Sequence, residues 1–287
     1  MSFGCVLLTT GRKPADLALA VESLLRQAGA ETDIAVVGNG WDPVGLPPGV
    51  RGVHVEVDEG IPAGRNAGVG HVDGDLLFFL DDDASLAAAD ALARVEAMFA
   101  ADPALGVVQL RVDPRRPGDR PLRDWTPRLR VGDRTRSSEI TVVWEGAVAV
   151  RRTAFHAAGG WPASFRFVHE GIDLGWRIMD AGFHLRYAGD IAALHPVTGA
   201  PPHDYSHYYG ARNRVWLARR HLPAPLGAAY VAGFALRSLP RYARSRRAAR
   251  EVLRGYRDGL RLPAGERRPL KASTLWRMTR AGRPPIL

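Results

Sequence analysis

Five apolar side chains, Leu76-Leu77-Phe78-Phe79-Leu80, run straight into three carboxylates, Asp81-Asp82-Asp83. A continuous apolar run of this length suits a strand buried on both faces, as in a parallel sheet. Desolvating one ionised carboxylate costs several kcal/mol, so the strand must emerge at Asp81 into water or against cations. Side chains alternate along an extended chain, which puts Asp81 and Asp83 on one face and Asp82 on the other. Two carboxylates converging at the carboxyl end of a strand suit Mg2+ or Mn2+, with a diphosphate supplying further ligands. In open α/β sheets, that end is where ligands sit. The plainer reading is that Asp83 or Ser85 caps a following helix while the other acids face solvent.

The rest of the chain predicts an α/β layered sheet. The apolar run 3–9 is followed by 14–27, where Leu17, Ala20, Val21, Leu24 and Leu25 recur at helical spacing. Further strands are predicted at 34–37, 53–57, 76–80 and 106–112, with helices from about Ala63 and over 87–101. The Pro- and Arg-rich stretch 114–136 reads as a mobile surface segment. Beyond it come strands at 140–143 and 147–151, a short helix, the turn 159–162, and an amphipathic helix over 172–181 closed by Gly182. Two strands, at 183–188 and ending at His195, complete the body, and from His203 the chain reads as helical and basic.

Charge is unevenly spread. The net +9 divides into +16 over residues 207–287 and −7 over residues 1–206, so a mildly acidic body carries a basic tail. Such a tail attracts polyanions or is simply a solvated arginine-rich face. Nucleic acid is not expected as a partner, because no nucleic-acid motif accompanies the charge. Residues 226–239 are apolar but fall short of the roughly 18 to 20 residues a spanning helix needs. With the arginine-rich segment 241–261, where Tyr242, Leu253, Tyr256 and Leu260 are interleaved, they suit a helix lying on an anionic membrane surface. The single cysteine, Cys5, excludes an internal disulfide and a cysteine-based zinc site and fits a reducing compartment. The N-terminus lacks the pattern of a signal peptide. The expected location is cytoplasmic, in solution or peripheral on the inner face of the plasma membrane.

Five stretches in order carry a resemblance. They are Val6-Leu7-Leu8-Thr9-Thr10-Gly11-Arg12 with Leu24-Leu25-Arg26-Gln27; Gly60-Ile61-Pro62-Ala63-Gly64-Arg65-Asn66-Ala67-Gly68; Gly74-Asp75 leading to Asp81-Asp82-Asp83; Gly159-Gly160-Trp161; and His169-Glu170-Gly171-Ile172-Asp173-Leu174-Gly175-Trp176-Arg177. Over most of residues 3–221 the chain resembles the family 2 glycosyltransferases, inverting enzymes of the GT-A fold, in a non-processive, actinobacterial-type form. The resemblance implies an α/β fold with a Rossmann-like mixed sheet flanked by helices. It divides the chain into a GT-A domain over 1–221, with a donor nucleotide half at 1–112 and an acceptor half at 113–221, and a basic helical region at 222–287. The implied activity is metal-dependent, inverting transfer of one hexosyl or deoxyhexosyl unit from a UDP-, GDP- or dTDP-sugar to the hydroxyl of an acceptor glycan, lipid or small molecule. The alternative is a degenerate, inactive transferase that binds membranes or polyanions. A sugar-phosphate nucleotidyltransferase needs a Gly-rich loop after its first strand, and residues 9–13 hold a single glycine.

By the same resemblance, Asp81 and Asp83 hold Mn2+ or Mg2+, and His195 either completes the metal shell or is structural. Thr9, Thr10 and Arg12 end the strand that wraps the nucleobase and ribose. Asn39 stands where an acid usually reads the donor, and Asp81 and Asp82 face it too. Arg65 and Asn66 open a helix suited to a bound anion, with Arg65 as an internal partner of the Asp cluster the other reading. The family's base is the second residue of a Glu-Asp pair, but Gly171 occupies that position here, which leaves Glu170 as the expected base and Asp173 as the other candidate. Both acids also suit the first turn of a helix, where negative charge complements the backbone dipole. The Gln-x-x-Arg-Trp signature of processive synthases is not matched by Arg212, Asn213, Arg214 and Trp216, which favours a single transfer. Tyr205, Tyr208, Tyr209 and Trp216 stack on a sugar or lipid, or belong to the core.

Overall fold

A computed structural model describes residues 1–197, 204–242 and 245–285. In chain order the elements are β1 (Phe3–Thr9), α1 (Pro14–Leu25), β2 (Thr32–Asn39), β3 (Val50–Val55), α2 (Ile61–Val69), β4 (Leu76–Asp81), β5 (Ser85–Leu86), α3 (Ala91–Ala101) and β6 (Leu105–Pro114). They continue with β7 (Ser138–Ile140), β8 (Ala147–Arg151), α4 (Arg152–Ala158), α5 (Glu170–Asp180), β9 (His184–His195), α6 (Asp204–His221), α7 (Ala224–Tyr242), α8 (Arg246–Arg261) and α9 (Ala272–Arg280). The strands form one mixed sheet in the order β3-β2-β1-β4-β8-β6-β9-β5, with β7 paired to β9. The first four of these strands are parallel, and β8 runs against both β4 and β6.

The alternation within β4 explains its unbroken apolar sequence. Leu77 and Phe79 join one core with Val6, Phe155, Leu174 and Trp216, beneath α2, α4, α5 and the C-terminal helices. Leu76, Phe78 and Leu80 join a second core with Leu17, Leu24, Leu92 and Phe99, beneath α1 and α3. A strand at the middle of such a sheet has no polar face to present, so every residue up to Asp81 is apolar.

Four expectations change. His184–His195 forms one strand, where two were expected over 183–195, with a register shift against β6 after Leu110. Helix α3 starts at Ala91 rather than 87, because Ser85 and Leu86 pair with Leu194 and Ala193 as β5. Regular pairing at 140–143 stops at Ile140, and residues 141–146 turn toward the end of β4. The segment 114–136 lies mostly at the surface, as expected, but is anchored at its middle: Trp125 and Thr126 are buried, and Gln109 Nε2 donates to the Trp125 carbonyl at 3.0 Å.

The C-terminal helices share the first core through Trp216, Leu217, Tyr230, Leu270 and Met278. Gly255 and Gly259 let α8 press directly on α6; a Cβ at 259 would stand 2.8 Å from that of Val215. Residue 203, the expected start of α6, lies outside the described residues. Among the described residues, no helix is long and apolar enough to cross a membrane.

Candidate active site

Sheet register assembles the acidic cluster. Ser85 pairs with Leu194, which draws Asp83 and His195 together at the ends of β4 and β9. His195 Nε2 lies 3.0 Å from Asp83 Oδ1 and 3.9 Å from Asp81 Oδ2, and each of the three residues offers a ligand atom within 4.8 Å of the others. His195 Nδ1 sits 2.8 Å from the Pro196 carbonyl and donates there, which leaves Nε2 facing the aspartates: carrying a proton it donates to Asp83, and without one it would offer its lone pair to a metal. The rings of Trp125 and Trp144 pack edge-on against the imidazole at 5.3 and 5.6 Å and fix its plane. Two carboxylates and one imidazole are a donor set that fits Mn2+ or Mg2+.

Cationic side chains of the protein itself also neutralise these acids. Lys13 Nζ lies 2.6 Å from Asp83 Oδ2, and Arg65 Nη2 donates to Asp81 Oδ1 at 2.7 Å. Burial opposes ionisation of Asp83, but His195 and Lys13 outweigh it and hold the carboxyl well below its usual range. Burial likewise opposes a charged His195, and the Asp83 hydrogen bond and charge raise its affinity for a proton nonetheless. Asp82 and Asp83 stand in the turn that follows β4, closed by the Ala84 N–H donating to the Asp81 carbonyl at 3.0 Å, and within it Asp82 accepts from Thr9 Oγ1 at 2.6 Å. Burial, against that hydrogen bond and reinforced by the charges of Asp83 and Asp81, pushes Asp82 up to about 6.

Beside Asp81 opens a cavity of about 740 Å³. Its inner end is walled by Arg65, Asp81, Glu145 and Glu170, and its outer end by Arg214, Tyr230, Phe234 and Tyr256 from the C-terminal helices. Glu170 is 4% exposed, and its Oε2 is buried without a hydrogen-bond partner. Glu145, which the sequence reading did not single out, precedes β8. The backbone N–H of Asp81 donates to the Gly146 carbonyl at 3.0 Å, so the antiparallel pairing of β4 with β8 brings Glu145 to the site. Burial and the neighbouring Glu170 push Glu145 up to about 8, against the pull of Arg65. Burial also raises Glu170, again opposed by Arg65.

The loop before α5 is strained and clamped. Arg166, Val168 and His169 have φ of 62°, 67° and 71°, a left-handed conformation that is unusual for non-glycine residues and most of all for a β-branched one. The fully buried Asn213 of α6 places its amide nitrogen 3.1, 2.7 and 2.8 Å from the carbonyls of Phe165, Phe167 and Val168. Arg212 adds bonds to the Ser164 and Phe165 carbonyls, both at 2.9 Å. Asn213→Ala should destabilise the chain by about 2 kcal/mol, as buried acceptors lose their donor and the strained turn relaxes; urea unfolding checks this, and a change within 0.5 kcal/mol (the ordinary surface range) contradicts it.

Asp173 is occupied elsewhere. It is fully buried, with Arg177 Nε donating at 2.6 Å, His221 Nε2 at 2.7 Å and Arg220 Nη1 at 3.4 Å, and it does not line the cavity. Burial opposes its charge, but His221 and the arginines win and lower it to about 2. A carboxyl depressed this way contributes stability above its unfolded value of about 4, lost as pH falls toward 2. Asp173→Asn should therefore cost on the order of 3 kcal/mol at pH 7, because it leaves buried cations unpaired, and little near pH 2. Equal stability of variant and wild type at pH 7 contradicts that role.

Other expected residues are placed as follows. Thr9 ends β1 beside Asp82, while Thr10 and Arg12 are exposed at the same rim. Asn39 is buried, donating to Asp58 at 2.9 Å and accepting from the Glu59 amide at 3.1 Å, so it organises the 58–60 turn. Asn66 exchanges hydrogen bonds of 2.9 and 3.0 Å with the Trp161 backbone. Both amides already make hydrogen bonds within the protein through nitrogen and oxygen. Trp216 is core, under the Arg212 guanidinium at 4.0 Å; Tyr208 donates to Asp258 at 3.2 Å; Tyr205 is exposed with its ring against Phe167.

Comparison with known proteins bears on the fold and the family. Among solved structures, TarS residues 1–349 of S. aureus with UDP-GlcNAc superpose with a TM-score of 0.61 at 12% identity, covering 91% of this chain and 81% of that one. The mannosyltransferase PcManGT of Pyrobaculum calidifontis, with GDP-Man and Mn2+, gives 0.59 at 17% identity, covering 97% and 84%. GalNAc-T7 with UDP, GalNAc and Mn2+ gives 0.56 at 16% identity; it covers 75% of this chain, which spans only about half (51%) of that one. At these identities the likeness is one of fold, here the GT-A fold. No curated protein sequence matches the chain. The description "Glycosyl transferase family 2" matches residues 5–159, more than half of the sequence, from β1 through the end of α4. The chain is therefore a glycosyltransferase that belongs to glycosyl transferase family 2.

Proposed function

We propose that this protein is a metal-dependent, inverting, non-processive glycosyltransferase that moves one sugar from a nucleoside diphosphate to an acceptor hydroxyl. The observation that carries the proposal is the convergence of Asp81, Asp83 and His195 beside a cavity walled by carboxylates. A divalent cation held there would neutralise charge developing on the departing diphosphate. Thr9, Thr10 and Arg12 line the rim for the nucleoside, and Lys13 stands next to Asp83 within reach of phosphate oxygens. Arg65 Nη1 is buried without a hydrogen-bond partner, and we assign this donor to the bound diphosphate or sugar. Asn39, Asn66 and Asp173 are left out of this assignment because their polar atoms are already committed. The carboxyl pair of half-buried Glu145 and buried Glu170 supplies the base, on a cavity wall where the acceptor enters from the side of α6 and α7.

A thermal-shift panel of UDP-GlcNAc, GDP-Man and dTDP-sugars, each with and without Mn2+, tests the reading. One nucleotide class should stabilise the protein, by about 2.7 kcal/mol at a hundredfold excess over its dissociation constant, and only with the metal. Equal shifts with EDTA contradict it.

For location, we propose a protein of the cytoplasm that docks on its bounding membrane. Leu253 and Leu260, seven residues apart on one face of α8, are 65% and 66% exposed, beside the exposed Arg246, Arg250 and Arg261. Each basic residue near an anionic surface contributes about 1 kcal/mol. The protein should float with anionic liposomes at low salt and stay behind with neutral ones; sedimentation as free protein in both contradicts docking.

A further inference from the structure

We propose that Glu145 is the residue that takes the proton from the acceptor hydroxyl, its carboxylate standing in the space that a side chain at position 171 would fill. The proposal rests on the transferase reading above. A Cβ built on Gly171 falls on Glu145 Oε1 and on the Val143 carbonyl oxygen. Gly171 is thus a glycine because a carboxylate from another segment already occupies its place. The backbone N–H of Gly171 donates to that same Oε1 and pins the carboxylate over the first turn of α5, where the helix dipole supports negative charge. Oε2 is left for the cavity, whose wall Glu145 shares with Arg65, Asp81 and Glu170. The segment is tied to the cation cluster by the Asp81–Gly146 backbone bond.

The charged groups facing Glu145 are Glu170 from α5, Arg65 from α2 and Asp81 from β4. Glu170, almost wholly enclosed, acts through Glu145 as a positioning residue: its negative charge, with burial, strengthens the proton affinity of the more accessible carboxylate. In the transfer step, the acceptor oxygen attacks the anomeric carbon as its proton passes to Glu145 Oε2. The anomeric carbon–oxygen bond to the diphosphate breaks, and the electron pair leaves on the nucleoside diphosphate. One bond forms, one breaks, and the proton ends on Glu145.

The test uses the full chain with Mn2+ and whichever UDP-, GDP- or dTDP-sugar of the thermal-shift panel the wild type binds, with water as acceptor, following nucleoside diphosphate release from pH 5 to 9. Glu145→Gln is isosteric and keeps the Gly171 hydrogen bond. It should lower kcat by about 10²- to 10⁴-fold, the usual span for a lost general base, with donor affinity within about twofold by calorimetry. Glu170→Gln should lower kcat by only about tenfold and move the acid limb of the profile to lower pH, as the removal of a like charge requires. A second measurement checks folding and the buried carboxyl together. A carboxyl held protonated in the fold is destabilising above its unfolded value, so Glu145→Gln should match the wild-type melting temperature near pH 4.5 and exceed it at pH 8. Near-normal kcat in Glu145→Gln, or a larger loss in Glu170→Gln than in Glu145→Gln, overturns the assignment. A wild type that binds none of the UDP-, GDP- and dTDP-sugars of the panel overturns the transferase reading itself, and Glu145 falls with it.

Discussion

Asp83→Ala should abolish metal-dependent donor binding and lower kcat/KM by at least about 10³-fold, equivalent to roughly 4 kcal/mol of transition-state stabilisation. Asp83 is the most buried of the three clustered residues and touches both Lys13 and His195. On the proposed reading its loss would remove one ligand, and it frees the imidazole that Asp83 holds at 3.0 Å. The fold should survive, because β4 remains seated in both cores through its apolar residues. The check is donor titration by calorimetry with Mn2+, together with urea unfolding of the same sample. Retained donor affinity in a folded variant contradicts the metal site.

Arg65→Met should cost about 3 kcal/mol of stability, because it removes the guanidinium that faces Asp81, Glu145 and Glu170 while leaving the acids buried. Arg65 is 4% exposed, bonds Asp81 at 2.7 Å and stacks 5.2 Å from the Trp161 ring. Arg65→Lys keeps the charge but loses the planar fork, so it should recover part of the stability and little of the activity. Turnover in Arg65→Met should fall about 10²-fold or more, in line with the loss of a charge-stabilising donor. An Arg65→Met protein as stable as wild type would show that these carboxylates need no cation.

The emergence of the acids at the sheet rim was legible in sequence because its logic is local: an apolar strand has to release its carboxylates there. The juxtaposition of Asp81 and Asp83 comes instead from a turn that sequence alternation does not describe. The strand–helix alternation was legible for the same reason. Glu145 was not, since nothing around Trp144-Glu145-Gly146 marks it, and its place depends on the antiparallel pairing of Leu80 with Ala147. The departure at Gly171 was the available signal, and only the three-dimensional overlap with Glu145 explains it. Asp173 looked like a candidate base because its partners Arg220 and His221 lie more than forty residues away on α6. The segment 114–136 read as mobile from its Pro and Arg content, although Trp125, an aromatic within it, is the anchor that reaches His195.

Anomalous diffraction from crystals grown with Mn2+ and a bound nucleotide sugar probes the acidic rim of the sheet most directly. A manganese peak should appear about 2.1 Å from oxygens of Asp81 and Asp83 and from His195 Nε2, with the diphosphate on its open side. A bound nucleotide whose diphosphate lies away from these three residues, with no anomalous peak between them, would contradict it.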